Sequence, residues 1–87
     1  MNYALDISEK AEKVFSRLMN KSIKQLKIIN KKIIQIRLNP YHFKPLRGDM
    51  HGLRRVHIDK HFVLVYEIDE DNKLVRILDY GHHDDVY

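Results

Sequence analysis

The sequence predicts an α+β fold in which an N-terminal helix hairpin packs on a curved, mainly antiparallel sheet. Apolar residues recur at helical spacing through the first half, whereas the second half consists of β-branched and aromatic runs. At 87 residues the chain is long enough to bury one core, so we expect residues 1–87 to form a single domain. The predicted element order is β-α-α-β-β-β.

The first half predicts a short strand over residues 3–6 and then two helices. Asp6 or Ser8 can cap the first helix, and Asn20 offers a break and a new cap. The second helix is predicted over residues 22–38 and stops before Pro40, because a residue that precedes proline avoids the helical region. The apolar faces of the two helices comprise Ala11, Val14, Phe15, Leu18 and Met19, and then Leu26, Ile29, Ile33 and Ile36.

Three strands are predicted in the second half, from the runs "GLRRVHI", "FVLVYEI" and "KLVRILDY". The turn sequences "DK" and "DEDN" separate them, so the strands form an antiparallel meander.

The strand that contains "LRRVHI" does not alternate strictly, since Leu53 and Val56 are three residues apart. A bulge at Arg54–Arg55 would restore the alternation, because one extra residue resets the face that follows. With Val56 and Ile58 inward, His57 faces the other side and pairs roughly with Phe62. His61 then lies on the rim of the turn, and the bulge places both arginines near the face of His57.

Composition excludes several classes of protein. The chain has no cysteine, which removes disulfides and thiolate metal sites and fits a reducing cytosol. No apolar stretch approaches the ~20 residues of a membrane span, and the N-terminus does not resemble a signal peptide. We therefore expect a cytoplasmic protein without a membrane partner.

Positive charge is concentrated in the first half. Residues 1–40 contain nine Lys/Arg and three Asp/Glu, whereas residues 41–87 contain seven and nine. The basic half favours an anionic partner, either nucleic acid or an acidic protein. A lysine-rich solvated helix surface explains the same composition equally well.

All six histidines lie in the second half, together with cations that could hold a phosphate. Histidine is the natural proton carrier near neutral pH, and Lys44, Arg47, Arg54 and Arg55 could stabilise developing negative charge. RNA supplies its own nucleophile, the 2′-hydroxyl. Its cleavage therefore needs a base, an acid and cations, but no metal.

A metal site is not expected from the histidine spacing. His57 and His61 are four residues apart, which is a metal-binding spacing on a helix but not in strands. His82 and His83 are adjacent and would point apart in an extended chain. Asp84 and Asp85 could assist a metal, but a solvated C-terminal turn explains them as easily. We expect neither a metal nor another cofactor.

The segment "KPLRGDMHGLRRVHIDKHFVLVYEI", followed by "ILDYGHHDDVY", resembles the RelE/ParE superfamily of type II toxin–antitoxin toxins. The resemblance is closer to the YafQ-like branch, which shows a proline-leucine-x-glycine turn, a histidine strand, a Leu/Ile/Val-Tyr strand and a glycine-x-histidine that ends in an aromatic. It covers residues 44–87, and the first half matches only in the order of its elements.

This resemblance implies a ribosome-dependent mRNA endoribonuclease that inhibits translation by metal-independent 2′-hydroxyl attack. The implied partners are mRNA on the ribosome, ribosomal RNA and a RelB-like cognate antitoxin, with DNA bound only through the antitoxin complex. Matched by motif, the implied catalytic residues are His57, His83, Tyr87, Lys44 and Arg54. The implied substrate-binding residues are Arg55, His61, Phe62 and Arg47.

The chain departs from the YafQ-like pattern at three positions. Lys44 stands where that branch has a histidine, His61 where it has an acidic residue, and Leu53 where it has an aromatic. These departures leave open which groups act as acid and base, and they leave room for an enzyme weaker than its relatives. Two other functions also stay open, because function depends on the site rather than on the fold. One is a ParE-like toxin that poisons gyrase without cutting RNA, and the other is a non-catalytic RNA- or ribosome-binding module that uses the lysine-rich second helix.

Overall fold

The computed structural model describes residues 2–45 and 52–86, and the predicted α+β order is confirmed. A short helix that was not predicted follows the last strand. The elements are β1 Ala4–Ile7, α1 Glu9–Lys21, α2 Ile23–Leu38, β2 Leu53–Ile58, β3 Phe62–Asp69, β4 Leu74–His82 and α3 His83–Val86.

Serine side chains cap both long helices. The Ser8 Oγ accepts a hydrogen bond from the Ala11 amide at 3.1 Å, and the Ser22 Oγ accepts one from the Gln25 amide at 3.3 Å. Because α1 continues to Lys21, the expected cap at Asn20 is wrong, and Ser22 both ends α1 and begins α2.

The sheet has the order β1-β4-β3-β2, with β1 parallel to β4 and the other pairs antiparallel. The helix hairpin covers one face, which we call the helix-side face. Met19, expected in the apolar face of α1, is instead 63 % exposed. The buried core cluster comprises Ala11, Ile29, Ile33, Ile36, Val56, Ile58, Leu64, Tyr66, Val75, Ile77 and Tyr80.

Strand β2 pairs with β3 in an unbroken register, from Leu53 opposite Glu67 to Ile58 opposite Phe62. The expected bulge at Arg54–Arg55 is therefore wrong, and His57 lies opposite Val63 rather than Phe62. Successive strand residues point to opposite faces. Arg54 consequently shares the helix-side face with Val56 and Ile58.

A register shift does occur, but it lies in the β3–β4 pairing. Val65 pairs with Asp79 and Tyr66 with Ile77, so Leu78 is the extra residue of β4.

Within residues 2–45 and 52–86, no helix is long and apolar enough to cross a membrane.

Candidate functional site

Arg55 and His57 point away from the helix hairpin, to the second face of the sheet, which we call the open face. Together with the segment after α2 they border a groove of about 340 Å³. The Lys44 and His57 side chains are both exposed to solvent. The residues that line the groove are His42, Phe43, Lys44, Arg55, Val56 and His57.

Backbone contacts hold Lys44 beside β2. The Arg55 amide donates to the Lys44 carbonyl at 3.1 Å, and Pro45 forms an isolated bridge with Arg54. The buried Tyr66 hydroxyl donates to the Pro40 carbonyl at 2.6 Å, which fixes the start of the same segment. Residues 40–45 thus run along the edge of the sheet, and Lys44 is brought near His57.

Arg54 contributes to this arrangement from the helix-side face. Its guanidinium donates to the Phe43 carbonyl at 2.6 Å and lies 5.1 Å from the centre of the Tyr41 ring. Arg54 and Arg55 therefore do not share a face, contrary to the prediction from the sequence. The contacts of Arg54 position the segment that carries Lys44.

A second group of residues, the C-terminal histidine cluster, comprises His61, His82, His83 and Asp84. The His83 amide donates to the His61 carbonyl at 2.9 Å. The His61 and His82 rings stack, with centroids 5.8 Å apart and planes 4° from parallel. The prediction that His82 and His83 point apart is wrong, because α3 begins at His83 and brings the two ring centroids to 4.8 Å.

The short helix α3 lies over the open face. Gly81 pairs with Val63, which in turn pairs with His57, so these three positions share a face. A Cβ atom built on Gly81 would lie 3.2 Å from Cγ2 of Val86. Two strand spacings, about 10 Å, separate the backbones of His57 and Gly81. The groove and α3 therefore border the same face, whereas His82, which pairs with Phe62, lies toward the helix-side face.

Phe62 lies apart from the groove, on the helix-side face. Its ring stacks on Tyr80, with centroids 5.7 Å apart and an interplanar angle of 13°. Burial raises the pKa of Tyr80 to about 12, and the Tyr80 hydroxyl donates to Gln25 at 3.0 Å. Burial also raises the pKa of Tyr66 to about 12. Both hydroxyls thus stay protonated near neutral pH, in structural roles.

Outside the groove, Glu70 connects the β3–β4 turn to the N-terminal residue Tyr3 and to Tyr41 in the segment after α2. Its carboxylate pairs with Lys73 and accepts hydrogen bonds from the hydroxyls of Tyr41 at 2.5 Å and Tyr3 at 2.8 Å. The hydrogen bond from Lys73, followed by those from Tyr41 and Tyr3, lowers the pKa of Glu70 from 4.5 to about 2. This cluster ties the segment after α2 to the β3–β4 turn.

The structure thus brings together Lys44, Arg55 and His57 in the groove, and His61 and His83 at the C-terminal end of β4. Arg47 and Tyr87 lie outside the described residues. Sequence reasoning missed His42 and Phe43, although the run "YHFK" between two prolines combines two aromatic residues with a histidine and a lysine.

Solved structures with the same architecture are small bacterial toxins. The YoeB/ParE toxin from Agrobacterium tumefaciens superposes with a TM-score of 0.86 at 18 % identity, covering 92 % of this chain and 98 % of that one. The E. coli DinJ–YafQ toxin–antitoxin complex contains a chain with a TM-score of 0.79 at 19 % identity, covering 100 % of this chain and 99 % of that one. At these identities the similarity establishes the fold.

Sequence comparison establishes the family. The chain belongs to the ParE toxin family of type II toxin–antitoxin systems, whose model matches residues 5–87. A relative described as putative toxin RelE4 of Methanocaldococcus jannaschii is 44 % identical over 85 residues, covering 98 % of this chain and 90 % of the relative. Membership of the RelE/ParE superfamily, as the sequence predicted, is confirmed.

Proposed function

We propose that this toxin is a ribosome-dependent mRNA endoribonuclease that inhibits translation, with residues 1–87 acting as one toxin domain in the cytoplasm. The observation that carries the proposal is the groove in which Lys44, Arg55 and His57 meet on the open face. A histidine and two cations around one space are the groups that phosphodiester cleavage by the 2′-hydroxyl requires.

In the proposed reaction the 2′-hydroxyl loses its proton to one histidine, and its oxygen attacks the adjacent phosphorus. The bond from phosphorus to the 5′-oxygen then breaks, and a second group returns a proton to that oxygen. The products are a 2′,3′-cyclic phosphate and a 5′-hydroxyl. His57 and His83 share the base and acid roles, and Tyr87 is assigned to proton transfer by family resemblance.

The cations act on the charge that develops at phosphorus. Lys44 and Arg55 border the groove and can contact the non-bridging oxygens, and resemblance adds Arg47 to this group. Arg54 acts as a positioning residue through the Phe43 carbonyl. His61, which is exposed on the β2–β3 turn, contacts the RNA chain. Phe62 has a structural role, because its ring stacks on Tyr80 on the helix-side face of the sheet.

The ribosome supplies the remaining orientation of the substrate. A small chain offers few groups to align RNA, and alignment accounts for a large share of the rate in such reactions. The nine Lys/Arg of residues 1–40 provide a surface for ribosomal RNA, and this attraction weakens steeply as salt rises. Efficient cleavage of naked RNA at physiological salt would contradict this part of the proposal.

The test is cleavage of mRNA on programmed ribosomes, followed by mapping of both ends of each cut. EDTA is added above the level of trace transition metals but below the Mg²⁺ that keeps ribosomes intact. Cleavage should persist and leave cyclic or 3′-phosphate ends. Loss of cleavage under EDTA, with rescue by a transition metal, would contradict the metal-free mechanism.

Single substitutions assign the residues. His57→Ala and His83→Ala should each slow cleavage by roughly 10²–10⁴-fold, the usual effect of losing a positioned acid or base. Lys44→Ala should also slow it, whereas Lys60→Ala removes the same charge from the exposed β2–β3 turn and serves as its control. Wild-type rates in both histidine variants would exclude them from the chemistry.

A ParE-like toxin that inhibits gyrase without cutting RNA is the second candidate, and the description of the matching family model favours it. Inhibition of gyrase supercoiling by the wild type, with intact mRNA on ribosomes, would establish this alternative. Ribosome binding without either activity would instead indicate a non-catalytic RNA-binding module.

We also propose a RelB-like antitoxin as partner, in keeping with the complex in which the similar YafQ chain was solved. The helix hairpin offers exposed apolar side chains at Met19, Ile23, Ile34 and Leu38 among its lysines. An acidic amphipathic segment could pack its apolar stripe there and pair its carboxylates with the lysines.

A further inference from the structure

Three electron-pair donors converge within the C-terminal histidine cluster. One ring nitrogen each of His82 and His83 and a carboxylate oxygen of Asp84 lie within 4.8 Å of one another. The Asp84 carboxylate faces one nitrogen of each ring, with one oxygen 3.6 Å from His82 Nδ1 and the other 3.2 Å from His83 Nε2. All three side chains are at least partly exposed, so an ion can reach them from solvent.

Hydrogen bonds around the cluster determine where the neutral rings carry their protons. His83 Nδ1 lies 3.3 Å from the His61 carbonyl oxygen, which can only accept, so the proton is on Nδ1 and the lone pair on Nε2. The Asp84 amide, which can only donate, is 3.3 Å from His82 Nδ1, so that nitrogen also carries a lone pair. Two nitrogen lone pairs therefore meet a carboxylate, and a cation among them relieves the repulsion between these acceptors.

We propose that His82, His83 and Asp84 bind a divalent first-row transition metal ion such as Zn²⁺. Two imidazoles and one carboxylate are a donor set that zinc accepts, with bonds of about 2.0–2.1 Å and a fourth position for water. Tetrahedral bonds of that length place ligand atoms about 3.3–3.4 Å apart. The distances from the Asp84 oxygens to His83 Nε2 and His82 Nδ1, 3.2 and 3.6 Å, are close to this separation, with each nitrogen facing a different oxygen.

The surroundings of His83 also suit a metal ligand. A ligating histidine usually donates its other ring N–H to a carbonyl or carboxylate, which fixes the ring orientation. The His61 carbonyl occupies that position for His83. On binding, the metal replaces the Asp84 amide as the partner of the His82 Nδ1 lone pair.

Metal binding has a regulatory consequence, which rests on the proposed nuclease function. A metal on His83 Nε2 removes that nitrogen from proton transfer. Zinc is therefore an inhibitor at this site, and the metal-free toxin is the active form.

Calorimetric titration of the purified full chain with zinc chloride tests the binding. The wild type should bind one ion through this cluster, and Mg²⁺ should give no comparable binding, because it prefers oxygen ligands. Asp84→Asn and His82→Ala should each weaken zinc binding by at least about 100-fold, beyond the roughly 10–100-fold loss typical of an outer-shell change. Asp85→Asn removes the same charge from the next residue of α3 and should retain binding.

Two results would overturn the proposal. One is equal zinc affinity in the Asp84→Asn and Asp85→Asn variants. The other is a zinc titration followed by NMR of the imidazole nitrogens in which the His57 signals shift before those of His82 and His83. Thermal melting of each variant verifies that it is folded.

The inhibitory effect is measured separately, as the ratio of cleavage rates with and without zinc on programmed ribosomes. The ratio should be about 0.1 or lower for the wild type. It should be near one for His82→Ala, which keeps His83 but loses the metal site. Equal inhibition of both proteins would refute regulation through this cluster. If the wild type does not cleave at all, the nuclease proposal fails, while the calorimetry still decides whether the metal site exists.

Discussion

Replacement of Arg54 by alanine should lower the stability of the fold as well as the cleavage rate. The substitution removes the 2.6 Å hydrogen bond to the Phe43 carbonyl and the contact with the Tyr41 ring. Hydrogen bonds from charged groups contribute about 1.5–3 kcal/mol, and an exposed cation–π contact contributes about 0.5–1 kcal/mol. Because the guanidinium is partly exposed, we expect a loss near the lower end, about 2 kcal/mol.

The expected change in melting temperature follows from the size of the chain. A domain of 60–100 residues loses roughly 4–8 °C per kcal/mol, so Arg54→Ala should melt about 8–16 °C below the wild type. Thermal unfolding followed by circular dichroism measures this shift. Arg17→Ala, at an exposed position on α1, is the matched control and should change stability by no more than about 0.5 kcal/mol.

A direct role of Arg54 in phosphate binding predicts a different melting temperature. If the guanidinium contacted the phosphate, Arg54→Ala would lose cleavage but would melt at the same temperature as Arg17→Ala. That outcome would refute the positioning role. Arg54→Lys gives a graded test, because lysine keeps the charge but lacks the planar fork that holds the carbonyl; it should melt between the wild type and Arg54→Ala.

Three further predictions concern other parts of the molecule. Because the pKa of Glu70 is lowered in the folded chain, its carboxylate stabilises the fold above pH 4.5, and this stabilisation is lost as the pH falls through about 2. Over that range the melting temperature of the wild type should fall more steeply than that of Glu70→Gln, and parallel curves of melting temperature against pH would contradict this. Tyr66→Phe leaves the Pro40 carbonyl without its 2.6 Å partner and should lower the free energy of unfolding, measured with denaturant, by about 1–3 kcal/mol. An unchanged free energy of unfolding would show that another donor replaces the hydroxyl. Joint replacement of Lys24, Lys27 and Lys31 by glutamate should slow antitoxin association and flatten its salt dependence in stopped-flow measurements, and unchanged rates would place the antitoxin elsewhere.

The elements of this fold could be predicted from the sequence because their causes are local. The spacing of Ile29, Ile33 and Ile36 defines the buried side of α2 without reference to any other segment. The β-branched runs of the second half identify the strands in the same way. Strand pairing is not local, and the parallel partnership of β1 with β4 could not be inferred from either strand alone.

The candidate site was less predictable because it depends on register and on one short helix. Arg54 occupies a helix-side position that an apolar residue would normally fill, so the broken alternation suggested a bulge that is absent. The compensating partner, the Phe43 carbonyl, is eleven residues away in the chain. The convergence of His82 and His83 likewise depends on the turn into α3, which a strand pattern does not reveal.

The parallel pairing of β1 with β4 also constrains when the fold can form during synthesis. Ala4 pairs with Leu74, and the Ser8 hydroxyl bonds the Leu78 carbonyl across 70 positions of sequence. A nascent chain therefore cannot complete the sheet until β4 has emerged, and contacts of such long range slow folding. The open face receives Gly81 and α3 only at that stage, so the candidate site cannot be complete before β4 has joined the sheet.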